Sequence, residues 1–170
     1  MPSFVNHVEK ARDNFEFLEQ INSKIPNSID WQVTVCYYTG LHLINAHLAG
    51  FGVQYRNHKE VQGILDPTNP TSIAKIDEEP YYQYIKLERL SRRARYMTHG
   101  GNPSPKPAII RDQHLAQSMK ALDIIIVYFK SIFEKKKHAN GGTIYSFVFP
   151  TIELECSKLK NDLTYIKKKA

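Results

Sequence analysis

The chain has 170 residues, enough for one domain with a real core, and an ordinary mix of apolar and charged side chains for a soluble globular protein. Its formal net charge of +6 favours an anionic partner over a cationic one. Two cysteines exclude a disulfide framework, and the absence of an apolar signal core or membrane-length run leads to the expectation of a soluble, cytoplasmic protein with no membrane partner.

The first helix is expected from Pro2 to Lys24. Pro2 and Ser3 suit its start, Pro26 stops it, and Phe4, Val8, Ala11, Phe15, Leu18 and Ile21 recur at spacings of three and four. The second helix is the run between Asp30 and Gly52, which holds no charged residue and can be capped by Ser28 or Asp30. Trp31, Val35, Tyr38, His42 and Asn45 form one line on it, and Thr34, Tyr37, Leu41, Ile44 and Leu48 another. Such a helix touches neighbours on more than one side. His58 opens a possible short helix ending near Leu65, and Asp66-Pro67-Thr68-Asn69-Pro70 reads as a turn. The third main helix is expected from Glu79-Pro80 to Thr98, with Gly100 and Gly101 ending it. The fourth is expected from Ile110 to Lys137, its last lysines opposing the helix dipole. Thr143 to Phe149 has strand propensity, and a final amphipathic segment spans Thr151 to Lys169. The fold class is therefore all-α: an up-and-down bundle of four to five helices over 1–138. A C-terminal extension over 139–170, with a possible short strand plus helix, packs on the bundle or on a dimer partner.

No phosphate loop, dinucleotide fingerprint or nucleophile elbow occurs. His42 and His47 are five apart, not the four of a helical zinc pair, so neither metal nor cofactor is expected. Trp31, Tyr81, Tyr82 and Tyr84 read as packing or as stacking surfaces for bases, with packing the preferred reading for Trp31. His42 is read as a core histidine, with a place lining a nucleotide groove as the alternative. Ser91 to His99 is the stretch with chemistry in it. Arg92, Arg95 and His99 share one helical face if the helix continues to the glycines. Guanidinium groups bind phosphate through paired donors, and imidazole moves protons near neutral pH, the two abilities that phosphodiester cleavage needs. The same arginines can instead be solvated or pair with Glu78, Glu79 or Glu88.

Helix two resembles the signature helix of HEPN-domain proteins through Asp30-Trp31, Tyr37-Tyr38, Leu41-His42 and Ala46, followed by Gly52 and His58-Lys59. Ser91 to Tyr96 resembles the matching part of helix three, and the likeness covers roughly Phe4 to Phe133. It implies a four- or five-helix bundle that commonly forms a homodimer. Many members are metal-independent ribonucleases in which an arginine is followed, after four to six residues, by a histidine, with two copies meeting across the dimer cleft. Here five residues separate Arg93 from His99, and six separate Arg92 from His99. The resemblance implies that Arg93 stabilises the phosphate, that His99 acts as base or acid, that Arg92 and Arg95 grip the substrate, and that the product carries a 2′,3′-cyclic phosphate. The residue after the arginine is usually polar in the family; here it is Ala94 or Arg93. Two functions are carried forward: an endoribonuclease of toxin–antitoxin or defence type acting on RNA, or a non-catalytic dimerisation module. The second binds a nucleotide or a partner protein such as an antitoxin or nucleotidyltransferase.

Overall fold

The computed structural model describes residues 3–55, 57–96, 109–139 and 147–169. Its helices are α1 (Phe4–Lys24), α2 (Ile29–Ala49), α3 (His58–Leu65), α4 (Glu78–Tyr96) and α5 (Asp112–Ala139). Two short strands, β1 (Ile152–Leu154) and β2 (Ile166–Lys168), pair in parallel with Ile152 opposite Ile166 and Leu154 opposite Lys168. The fold is a helical bundle with a C-terminal extension, as the spacing of apolar residues leads one to expect. Among the described residues, no helix is long and apolar enough to cross a membrane.

Local chemistry sets the helix ends. The Ser3 hydroxyl accepts from the Asn6 amide at 3.2 Å, and the Asn6 side chain accepts from the Ser3 amide at 2.9 Å, a reciprocal cap for α1. Ile25 precedes Pro26 and leaves the helical region, which closes α1. Asn57 caps α3 by accepting from the Glu60 amide at 2.9 Å. Asp66 folds the following turn, accepting from the Thr68 amide at 2.8 Å.

The charge-free helix α2 is the axis of the bundle and packs against α1, α4 and α5. Its line of Tyr37, Ile44 and Leu48 is buried, whereas the parallel line of Trp31, Tyr38, His42 and Asn45 forms its outer seam. Trp31 is 62% exposed, so it is not a packing residue as its place in an apolar run had implied. At Gly40 a β-carbon would lie 3.2 Å from Leu87 Cδ1, a tight contact, and 3.7 Å from Ile125 Cδ1, an ordinary one, so the missing side chain lets Leu87 of α4 pack closely on α2. Phe15, Leu18, Leu43, Leu87, Met119, Leu122 and Phe129 complete a continuous apolar core. Cys36 and Cys156 are both buried and free.

The extension differs from its sequence reading. Thr151 to Lys169 forms no helix; it is extended chain and turns around the two strands. Thr143 to Ser146 lie outside the described residues, and Phe147 to Phe149 are extended without strand pairing. Phe147 and Phe149 are buried, and after a one-residue shift at Thr151 so are Ile152, Leu154 and Cys156, which is the period of extended chain and not of a helix. Phe147 and Phe149 stack 5.5 Å apart and reach Phe133 and Phe15. Buried polar groups then fix the segment to the bundle. Asn22 of α1 accepts from the Glu155 amide at 2.7 Å and donates to its carbonyl at 2.9 Å, acting as a strand edge. Asp123 of α5 accepts from the amides of Thr164 and Tyr165 at 3.1 and 2.6 Å. The extension thus lies on the bundle, across α1 and α5.

Candidate functional site

Helix α4 ends in a cluster of arginines, and helical geometry sends them in different directions. Residues three and four apart share a face, so Arg92 and Arg95 turn toward α2 and α3, while Arg93 points away from both. Arg93 Nη2 donates to the Ile109 carbonyl at 3.1 Å, ahead of α5, and its Nε is buried with no acceptor among the described residues. The positive charge of Arg93 also reaches His114, whose pKa is lowered first by burial and then by that guanidinium. His114 Nδ1 accepts from the Arg111 amide at 3.0 Å, so this imidazole is engaged in starting α5.

Arg92 is committed to a carboxylate. Its Nη2 lies 2.8 Å from Oε1 of Glu88, one turn earlier, and Glu88 is itself buried and receives a 2.5 Å hydrogen bond from Gln62 Nε2 of α3. Arg95 has no carboxylate partner among the described residues. Its Nη1 donates to the Tyr38 hydroxyl at 3.3 Å, and its guanidinium carbon lies 5.8, 5.7 and 5.1 Å from the ring centres of Tyr37, Tyr38 and Tyr96. Cation–π attraction holds such a group in place without neutralising it. Tyr38 and Tyr96 are exposed at 38% and 64%, so this cation sits among rings that open to solvent.

Behind Arg95 lies an imidazole. The buried Tyr37 hydroxyl is 2.8 Å from His58 Nδ1 at the first residue of α3. Burial pushes the Tyr37 phenol above its usual range, and the Glu88 carboxylate adds to that shift. The phenol therefore keeps its proton, and the contact joins a hydroxyl to an imidazole nitrogen whose role as donor or acceptor follows the tautomer of the ring. Tyr84, which stacks on Tyr37 at 6.2 Å, is pushed up in the same way.

Of the residues singled out from sequence, Arg92 and Arg95 are brought to one face, Arg93 is set apart from them, and His99 lies outside the described residues. Tyr37 and His58, which the pattern of arginine and histidine did not single out, are linked to Arg95 through the Tyr37 ring. The His58-Lys59 start of a capped helix was the available signal.

Other described histidines are elsewhere. His42 is half-buried on the outer seam of α2, with Nδ1 3.1 Å from Nδ1 of His7 on α1. Burial, then the neighbouring His7 and Lys10, bring its pKa down to about 4. His47 is buried, with Nε2 3.0 Å from the Ala74 carbonyl. No group of three or more His, Cys, Asp or Glu side chains stands in metal-binding proximity among the described residues. No family model, curated protein or solved structure matches the chain.

Proposed function

We propose that the chain is a HEPN-like RNA-binding protein that cleaves RNA without a metal ion, working as a homodimer. The observation that carries this reading is Arg95: a cation with no carboxylate partner among the described residues, held by exposed aromatic rings, with the Tyr37–His58 pair beside it. A phosphate arriving there meets a paired-donor cation that no internal anion has to release first. Arg93 adds positive charge on the adjoining face of the helix, and His99 follows the helix by three residues in sequence.

In the proposed reaction the ribose 2′-oxygen attacks the adjacent phosphorus while an imidazole, His99, takes its proton. The bond from phosphorus to the 5′-oxygen breaks, and that oxygen receives a proton from a second acid. The charge developing on the phosphoryl oxygens is met by Arg95, which no carboxylate holds among the described residues. The products are a 2′,3′-cyclic phosphate and a free 5′-hydroxyl.

A second reading has its own support. Arg92 is neutralised by Glu88 and Arg93 is hydrogen-bonded to a backbone carbonyl, which suits a module that binds RNA, a nucleotide or a partner protein, such as an antitoxin or nucleotidyltransferase, without cutting. The two separate in one experiment: purified protein is incubated with a mixed RNA pool in EDTA, beside His99→Ala, Arg93→Ala and Arg95→Ala. Cleavage that ends in a cyclic phosphate and is abolished by His99→Ala supports the ribonuclease. A dimer that binds RNA and leaves it intact moves the assignment to the non-catalytic module.

A further inference from the structure

A second feature of α4 runs along the helix and ends at Tyr96, whose ring borders Arg95. Tyr82, Lys86, Arg89, Arg93 and Tyr96 follow one another at spacings of four, three, four and three, so they form one stripe along the solvent side of the helix. Tyr82 and Tyr96, at its ends, are 56% and 64% exposed; Lys86 and Arg89 are exposed, and Arg93 is half-buried. At a rise of about 1.5 Å per residue the stripe is about 21 Å long. Glu88 is the one carboxylate between Tyr82 and Tyr96 in sequence, and it is buried and paired with Arg92, so no acid interrupts the row. The acidic first turn of α4, Glu78 and Glu79, marks where the row stops, with Glu79 accepting from Gln83 at 2.6 Å.

Beside the stripe lies a groove of about 550 Å³, walled by Gln62 of α3 and by Tyr81, Tyr82, Ile85, Lys86 and Arg89 of α4. Its size falls in the range of about 300–1,000 Å³ typical of small-molecule sites. The groove joins the Arg95 cluster through Gln62, which stands four residues after His58 on α3 and donates to Glu88, the anchor of Arg92.

We infer that this groove and stripe form a binding track for single-stranded RNA, which leads the strand along α4 to the Arg95 cluster. This rests on the RNA reading above and adds where the substrate lies. Cations one helical turn apart follow a phosphate backbone, and rings left open to solvent offer faces on which unpaired bases stack. A duplex keeps its base faces inside the stack, so it gains nothing from Tyr82 and Tyr96. An acidic peptide matches the cations but has no group to stack on the rings. At a stacked spacing of about 3.4 Å the track accommodates roughly six nucleotides.

The test is fluorescence anisotropy with the full chain and a labelled 2′-O-methyl oligouridylate of about 12 nucleotides, which cannot be cut through its 2′-oxygen. Wild type, Tyr82→Ala and Arg89→Ala are compared across salt concentrations, with thermal melts to confirm that each variant is folded. Tyr82→Ala is expected to bind about tenfold more weakly. Arg89→Ala is expected to flatten the slope of log K against log salt by about 0.7, the value of one lost phosphate contact. Variants that are folded and bind like wild type overturn the track while leaving RNA binding intact. A wild type that binds no probe overturns the track and the RNA reading together. Displacement of the probe by a polyglutamate peptide at equal charge also overturns it, since the face would then be a general anion surface. Binding that both substitutions weaken, by a wild type that cuts no RNA, supports the track and refutes only the cleavage.

Discussion

The His7–His42 contact joins α1 to α2 and makes the bundle sensitive to acid in a calculable way. Two imidazoles 3.1 Å apart through their Nδ1 atoms can share one hydrogen only while one of them is an acceptor, hence neutral. Protonating both leaves two donors face to face, with Lys10 adding a third positive charge. Burial, His7 and Lys10 bring His42 down from 6.5 to about 4, and burial lowers His7 as well. A base depressed by folding contributes its stability above its unfolded pKa and loses it as pH falls, because the unfolded chain takes up the proton first. The loss begins near pH 6.5 and levels off near pH 4. The full depression of His42 sets a ceiling of about 3 kcal/mol. His42 is half exposed, and solvent screening reduces the expected value to about 1–2 kcal/mol. Urea unfolding of wild type and His42→Gln at pH 7.5 and pH 4 checks this, since the carboxylates common to both cancel in the difference. Wild type should lose about 1–2 kcal/mol more than the variant on acidification. Equal losses, or a larger loss in the variant, would refute the reasoning.

Two further substitutions test the packing around the site and the tail. Asp123→Ala removes the acceptor of the Thr164 and Tyr165 amides, and the loss of two hydrogen bonds to a carboxylate should cost roughly 3–5 kcal/mol in urea unfolding. It should also accelerate exchange of the Tyr165 amide; a change under about 0.5 kcal/mol would mean the tail is not held there. At Gly40, alanine needs Leu87 to move by a few tenths of an ångström and gains helix propensity, so its net effect should stay within about 1 kcal/mol. Valine adds bulk where α4 and α5 already meet α2 and should cost about 1–3 kcal/mol more than alanine. Valine matching alanine in thermal stability would show that the three helices are not closed around this position.

The bundle was legible because its cues are local. Three-four spacing, the Ser3 cap, Pro26 and the His58 start recur within a turn or two of the elements they define. Boundaries shifted by one or two residues, as at Glu78 and Asp112, where fraying and caps compete. The tail was misread for a definite reason: Ile152-Glu153-Leu154-Glu155-Cys156 alternates apolar and charged residues, a two-residue period outweighed by the lysine-rich, amphipathic look of the whole segment. Trp31 shows the limit of composition, since an apolar run says nothing of which of its sides a neighbour covers. At the site, the pairing of Arg92 with Glu88 could be read from their spacing of four. The contacts of Arg95 with Tyr38 and of Tyr37 with His58 could not, because 57 and 21 residues separate the partners and only the packed bundle brings them together.

The tail's anchorage also sets an order of events during folding. Asn22 meets Glu155 across 133 residues of sequence, and Asp123 meets Tyr165 across 42. Helical hairpins built from neighbouring segments close quickly, whereas contacts this distant must wait for the intervening chain. On a ribosome, α1 and α2 emerge with Asn22 bonded to Gln32 at 2.8 Å, and the extended segment that completes Asn22 arrives only later. The tail therefore works as a clasp fastened after the helices have assembled. A chain interrupted before Phe147 would carry the apolar ledge of Phe15 and Phe133 uncovered, a surface that quality control can recognise.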